Sequence, residues 1–153
     1  MSKSFHVVCP RCDAVNRVPQ DRPASQAVCG SCRAQLFEGH PIELDGARFQ
    51  RHAERSDIPM IADFWAPWCG PCRAMAPIFE RAAKELEPKA RFVKVNVDNE
   101  PELAGRLGVQ GIPALFVLKN GSVVARQAGL ANLSTLQTNL STLQNWVCQF
   151  STP

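Results

Sequence analysis

Apolar and polar positions along this chain of 153 residues switch between a period of two and a period near 3.6, and the switches predict its elements. Pro41 to Leu44 reads as a short strand, Ala47 to Arg55 as a helix, and Met60 to Ala66 as an apolar buried strand. Met75, Ile78, Phe79, Ala82, Ala83 and Leu86 recur at helical spacing; Pro77 removes a backbone donor and should kink that helix, and Pro88 marks its exit. Phe92, Val93, Val95 and Val97 predict the next strand, Glu102 to Leu107 a short helix, and Ala114 to Leu118 a further strand. Asn120-Gly121 reads as a tight hairpin turn into Ser122 to Ala128, so the last two strands should run antiparallel. Alternation of strand and helix puts this region, residues 41–153, in the α/β class.

Two ends depart from that rhythm. Near the C-terminus NLSTLQT (Asn132 to Thr138) is followed by NLSTLQN (Asn139 to Asn145), and a seven-residue duplication keeps Leu133, Leu136, Leu140 and Leu143 on one helical face. Two heptads are short for a coiled coil, so the stripe is expected to pack on the sheet. No charged side chain follows Arg126, and nothing in the pattern explains why. Residues 1–40 are rich in Cys, Pro, Arg and Gln without helical periodicity, and a segment of that size does not close an apolar core unaided.

Composition narrows the function. Hydrophobic content of 45% with 20% charged residues is that of a globular protein, and a net charge of +3 dispersed among both signs argues against a nucleic-acid footprint. No run approaches the roughly 18 apolar residues of a membrane span, and Met1 to Cys12 lacks the apolar stretch of a secretory signal, so the expected location is the cytoplasm. In that compartment the seven cysteines are read as metal ligands or redox thiols before disulfides.

Six of them form three C-x-x-C pairs. Cys9-x-x-Cys12 and Cys29-x-x-Cys32 stand sixteen residues apart, the spacing of a structural zinc site. Each pair can form a knuckle that aims two thiolates at one ion, and four thiolates leave no open position, so a single zinc would be structural and supply the folding energy the segment lacks. Disulfides or a redox relay are the other use of the same residues. His6 and His40 are expected at the surface, since four cysteines fill the shell.

The third pair lies in Ala62-Asp63-Phe64-Trp65-Ala66-Pro67-Trp68-Cys69-Gly70-Pro71-Cys72. Cys69 stands where the next helix begins, and the unpaired N–H groups and dipole of a helix N-terminus favour its thiolate, making it the expected nucleophile. Cys72, one turn deeper, is placed to resolve a mixed disulfide. Asp63, in a dry strand, should have a raised pKa and exchange a proton with Cys72, unless it is simply a hydrogen-bonding strand residue.

With WCGPC at its centre, the run from Asp63 to Cys72 resembles the signature of the thioredoxin family, and the likeness continues through Lys94, Gly111-Ile112-Pro113, Lys119-Asn120-Gly121 and Gly129. Together with the four leading cysteines it is similar to the bacterial zinc-containing subclass. The resemblance implies a thioredoxin fold, a central mixed β-sheet flanked by helices, here preceded by a small zinc ribbon. It implies reduction of protein disulfides in client proteins, with electrons from an NADPH-dependent thioredoxin reductase and no bound organic cofactor. By the same resemblance Lys94 tunes the charge state of Asp63, Pro113 is cis, Trp65 lies behind Trp68, and Trp68, Gly70, Pro71, Ile112, Pro113 and Gly129 form the substrate surface. Ala114 departs from the threonine common at that place, and the uncharged terminal segment departs too. Cys148 is expected to be a buried or incidental thiol, and the chain a monomer.

Two other functions compete. A disulfide oxidant or isomerase would use the same fold in reverse, but Gly70-Pro71 resembles the reducing members. A binding or regulatory module, in which the ribbon recognises RNA, DNA or a protein and the rest is a redox-responsive scaffold, would use Arg11, Arg17, Arg22 and Arg33, a patch diluted by Asp13, Asp21 and Glu38.

Overall fold

A computed structural model describes residues 3–128 and 133–150. The N-terminal segment holds two antiparallel strands, β1 (Ser4–Val8) and β2 (Val15–Pro19), and one 3-10 turn (Ala24–Gln26). Beyond it follow β3 (Ile42–Glu43), α1 (Gly46–Arg55), β4 (Met60–Trp65), α2 (Gly70–Leu86), β5 (Arg91–Asn96), α3 (Pro101–Arg106), β6 (Ala114–Lys119), β7 (Ser122–Ala128) and α4 (Leu133–Phe150). The sequence places each of these within a few residues, and α2 runs on through Pro77 to Leu86.

The five long-range strands form one mixed sheet in the order β3-β5-β4-β6-β7, with β4 parallel to β5 and antiparallel to β6. Apolar runs such as Met60 to Phe64 reflect burial on both faces of the sheet. On one face Phe49 and Ala53 of α1 and Leu103 of α3 pack on Ala62, Phe64, Val93 and Phe116. On the other, Met75, Phe79, Ala82 and Ala83 of α2 join Leu143 and Val147 of α4 over Ile61, Phe92, Leu115 and Val117. Leu143 therefore packs as its stripe requires; the side chains of Leu133, Leu136 and Leu140, and all of Gly129, lie outside the described residues. The β6–β7 hairpin turns at Asn120 (φ 54°) and Gly121 (φ 84°), the paired positive dihedrals that an Asn-Gly hairpin supplies. A Cβ at position 121 would also come within 3.0 Å of the Glu54 side chain. Among the described residues no helix is long and apolar enough to cross a membrane.

The N-terminal segment is pinned to the sheet by groups that the hydrophobic pattern hides. Arg91, at the start of β5, is only 1% exposed. Its Nη2 donates to the Leu36 and Val8 carbonyls at 2.7 and 3.4 Å, its Nη1 to Glu87 Oε2 at 3.4 Å, and its guanidinium lies 4.7 Å from the Phe37 ring centre. The Gly39 N–H donates to the same Glu87 carboxylate at 3.0 Å. On the opposite side Asp13 accepts from Arg48 Nε at 2.9 Å and from buried His52 Nε2 at 2.9 Å, while Arg48 Nη2 donates to the Pro10 carbonyl at 2.7 Å. Burial pushes the His52 imidazole down to about 4, against the pull of Asp13, so it meets Asp13 as a neutral donor at neutral pH.

Burial also raises the Glu87 carboxyl and lowers Arg91 in spite of their mutual attraction, which marks a pair that fixes geometry more than it stabilises. Removing one partner strands the other. Arg91→Met should cost about 3–5 kcal/mol in urea unfolding, and adding Glu87→Leu should restore much of the loss. A single-variant loss below about 0.5 kcal/mol, the scale of an inconsequential surface change, would refute this latch.

Candidate active site and metal centre

Cys69 occupies the N-cap of α2, and its sulfur accepts the Cys72 N–H at 3.2 Å. Pro71 sits in the first turn, where a missing backbone donor leaves nothing unpaired. The structure holds Cys69 and Cys72 as a disulfide with Cα atoms 5.2 Å apart. Both sulfur-bearing residues are buried, but Cys69 lines an open cleft of ≈ 580 Å³ with Trp68, Gly70, Pro71, Val97, Ala104, Val109, Gln110, Gly111 and Ile112, and Cys72 does not. The expected asymmetry is thus one of facing more than of depth.

Across the cleft the Ile112-Pro113 peptide is cis, and the Ile112 carbonyl oxygen lies 3.9 Å from Cys69 Sγ. Trp68 is 67% exposed, yet its indole Nε1 donates to Asp98 Oδ2 at 2.9 Å, and the Asn96 side chain in turn accepts the Asp98 N–H at 3.0 Å. Trp65 lies partly buried behind, packed on the Ala66, Cys69 and Cys72 cluster.

Asp63 is fully buried in β4, and neither carboxylate oxygen has a hydrogen-bond partner among the described residues. It shares its sheet face with Ile61 and Leu115, the face that α2 covers through Met75 and Phe79; Cys72 is one turn before Met75. Burial raises the Asp63 carboxyl to about 7, opposed by Lys94 and assisted by Glu43. Lys94 is directly in register with Asp63 on β5 and holds its Nζ 4.4 Å from the Trp65 ring centre. Of the expected site residues, the structure brings Cys69, Cys72, Asp63, Lys94, Trp68, Gly70, Pro71, Ile112 and Pro113 to this end of the sheet; Gly129 lies outside the described residues. Sequence reasoning missed Asp98, whose only signal is its place just beyond a strand end.

The four N-terminal cysteines form a second constellation, with all four Sγ atoms within 4.8 Å of one another. Cys9–Cys32 and Cys12–Cys29 sulfurs lie 3.6 Å apart, close to the about 3.8 Å that two ligands of a tetrahedral zinc–thiolate site subtend. Arg11 N–H donates to Cys9 Sγ and Ser31 N–H to Cys29 Sγ, at 3.4 and 3.3 Å, the knuckle geometry that C-x-x-C spacing predicts. The Cys32 backbone first, then Asn16 and Ser31, lowers the Cys29 thiol to about 6. The donor set fits zinc. His6 and His40 stand apart, bonded to Asp57 and Glu38, as expected. Cys148 is free and exposed, not buried: it lies on an outward-facing turn of α4, between Val147 and Phe150, and lines a hollow with Lys89 and Lys119.

Residues 40–142 match the family model described as Thioredoxin, and residues 8–34 match that of the zinc ribbon described as Thioredoxin 2, N-terminal. The chain belongs to the thioredoxin family. It is 38% identical to thioredoxin C-3 of Corynebacterium nephridii over 94% of this chain and 93% of that protein, and 47% identical to the thioredoxin of Bacillus subtilis over 56% and 82%. A mutant thioredoxin from Halobacterium salinarum superposes with a TM-score of 0.64 at 26% identity, over 76% of this chain and 96% of that one. The chain is therefore a thioredoxin-family thiol-disulfide oxidoreductase with an N-terminal four-cysteine cluster of zinc-ribbon type.

The raised Asp63 carboxyl has a stability consequence of fixed sign. Its folded value, about 7, exceeds an unfolded value near 3.9, so the buried carboxyl costs stability as pH rises through that window and costs most above it. Asp63→Asn should leave the oxidised protein little changed at pH 4 and stabilise it at pH 8, by at most ~4 kcal/mol. Thermal unfolding of both proteins at the two pH values checks this; destabilisation at pH 8 would mean that Asp63 has partners the structure lacks.

Proposed function

We propose that this thioredoxin reduces disulfides in client proteins, with Cys69 as nucleophile, Cys72 as resolving thiol and Asp63 as the group that takes up the Cys72 proton. The observation that carries the reading is a buried carboxyl, without a hydrogen-bond partner among the described residues, beneath a helix whose N-terminal end bears a disulfide open to the cleft on one side only. In the reduced enzyme the Cys69 thiolate attacks one substrate sulfur, forming a mixed disulfide and expelling the other substrate sulfur as thiolate. Cys72, giving its proton to Asp63, attacks Cys69 Sγ; the Cys69–Cys72 bond forms, the mixed disulfide breaks, and the second substrate thiolate leaves. Two electrons pass to the substrate, and a thioredoxin reductase restores the dithiol.

Ile112 and cis-Pro113 lie opposite Cys69, where an extended substrate backbone would pair, and Trp68, Gly70, Pro71 and Gly129 complete the docking surface in this reading. Lys94 sets the charge balance of Asp63. Residues 1–40 act as a ribbon in which Cys9, Cys12, Cys29 and Cys32 hold one structural zinc, and residues 41–153 as the redox domain. The ion supplies folding energy and no chemistry. We place the chain in the cytoplasm, as a monomer without nucleic-acid partners.

Turnover of insulin disulfides with NADPH and thioredoxin reductase tests the cycle. Wild type should oxidise NADPH, Cys69→Ser should not, and Cys72→Ser should accumulate a covalent mixed disulfide visible by intact mass. No wild-type turnover with a competent reductase would reject the reducing role. Elemental analysis of the reduced chain should give one zinc per molecule, falling to none in Cys12→Ser; a zinc-free wild type would reject the structural ion.

A further inference from the structure

Lys94 does not face Asp63 alone. In the sheet order β3-β5-β4, Glu43 is directly in register with Lys94 from one side and Asp63 from the other. In-register residues of neighbouring strands share a face at a spacing of about 4.8 Å, so Lys94 stands in the row between Glu43 and Asp63, with its ammonium over the Trp65 ring. Glu43 keeps one side open to solvent, yet its partial desolvation beside the sheet raises its carboxyl, opposed by the Lys94 charge and by Trp65. Among the described residues the other elements against Asp63 add no competing charge: β6 presents Leu115, and α2 covers the face with Met75 and Phe79. Glu43 lies at the sheet edge, in a strand of two residues, and is itself exposed to solvent.

Resting on the reductase reading above, we propose that Glu43 is a positioning residue for the Cys72 step: it draws Lys94 away from Asp63 and so keeps Asp63 able to hold the Cys72 proton near neutral pH. Were Lys94 paired with Asp63 alone, the carboxylate would be stabilised and would take up the thiol proton less readily. Glu43 touches neither substrate nor sulfur; it acts through the lysine.

The test is the titration of the Asp63 carboxyl, followed by carbon NMR in the oxidised, zinc-loaded full chain, where the active-site thiols do not titrate. Glu43→Gln keeps the backbone pairing of the edge strand and should move the Asp63 midpoint down by about half a pH unit, more than direct repulsion from one screened charge two strands away supplies, because the lysine is then left to Asp63 alone. In a Lys94→Met background the same substitution should move it by less than half as much, because the shared cation is gone. No movement, an upward movement, or an undiminished shift in the Lys94→Met background would overturn the proposal. NADPH-linked insulin reduction by the wild type, measured beside it, separates the two ideas. Active wild type with no Asp63 shift removes the role of Glu43 and leaves the reductase standing. Inactive wild type with the full shift removes the reductase reading and leaves the shared lysine standing.

Discussion

A carboxyl buried without a hydrogen-bond partner costs a protein stability, and such a group persists where its surroundings compel it or its chemistry needs it. Asp63 is that group here, and much of the molecule is arranged around it. Helices cover both faces of the sheet, so Met60 to Phe64 of β4 are buried, and the Asp63 carboxyl is held up near neutrality. α2 covers it and, by starting at Cys69, sets the disulfide at the edge of the same dry region. Lys94, in register with Asp63, opposes the rise that burial imposes on its carboxyl.

The second dependence runs from the ribbon to the sheet. Arg91 and Lys94 lie three residues apart on β5; the first reaches the Val8 and Leu36 carbonyls of the N-terminal segment, the second the redox face. Asp13, next to Cys12, is held by Arg48 and His52 of α1. Arg91 and His52 are buried polar groups whose partners lie on the N-terminal segment, so partial separation strands them, and the ribbon sits against the domain in one defined pose.

Local patterns were legible in the sequence; long-range registers were not. Cys9-x-x-Cys12 and Cys29-x-x-Cys32 gave away the four-cysteine cluster because the constraint is carried by spacing within each knuckle. WCGPC placed the disulfide at a helix start, and Asn120-Gly121 placed the hairpin, since one turn type demands those dihedrals. Arg91 and His52 read as ordinary polar residues of a strand and a helix, and their partners in the fold, Leu36, Val8 and Asp13, are far away in sequence. Glu43 could not be linked to Asp63 because β3 and β4 are neighbours in sequence but are separated in the sheet by β5. Cys148, expected to be buried or incidental, is exposed because the apolar stripe of α4 places Leu143 and Val147 inward and turns the next residue out.

The central claim is that a carboxyl held near neutrality by burial takes the Cys72 proton, and the most direct measurement is the pH dependence of mixed-disulfide resolution in single turnover. Wild type should resolve with a half-rise near pH 7, the value to which burial lifts Asp63, and Asp63→Asn should resolve more slowly, rising only towards the ordinary thiol value near 8.5. Superimposable profiles and rates in the two proteins would contradict the account.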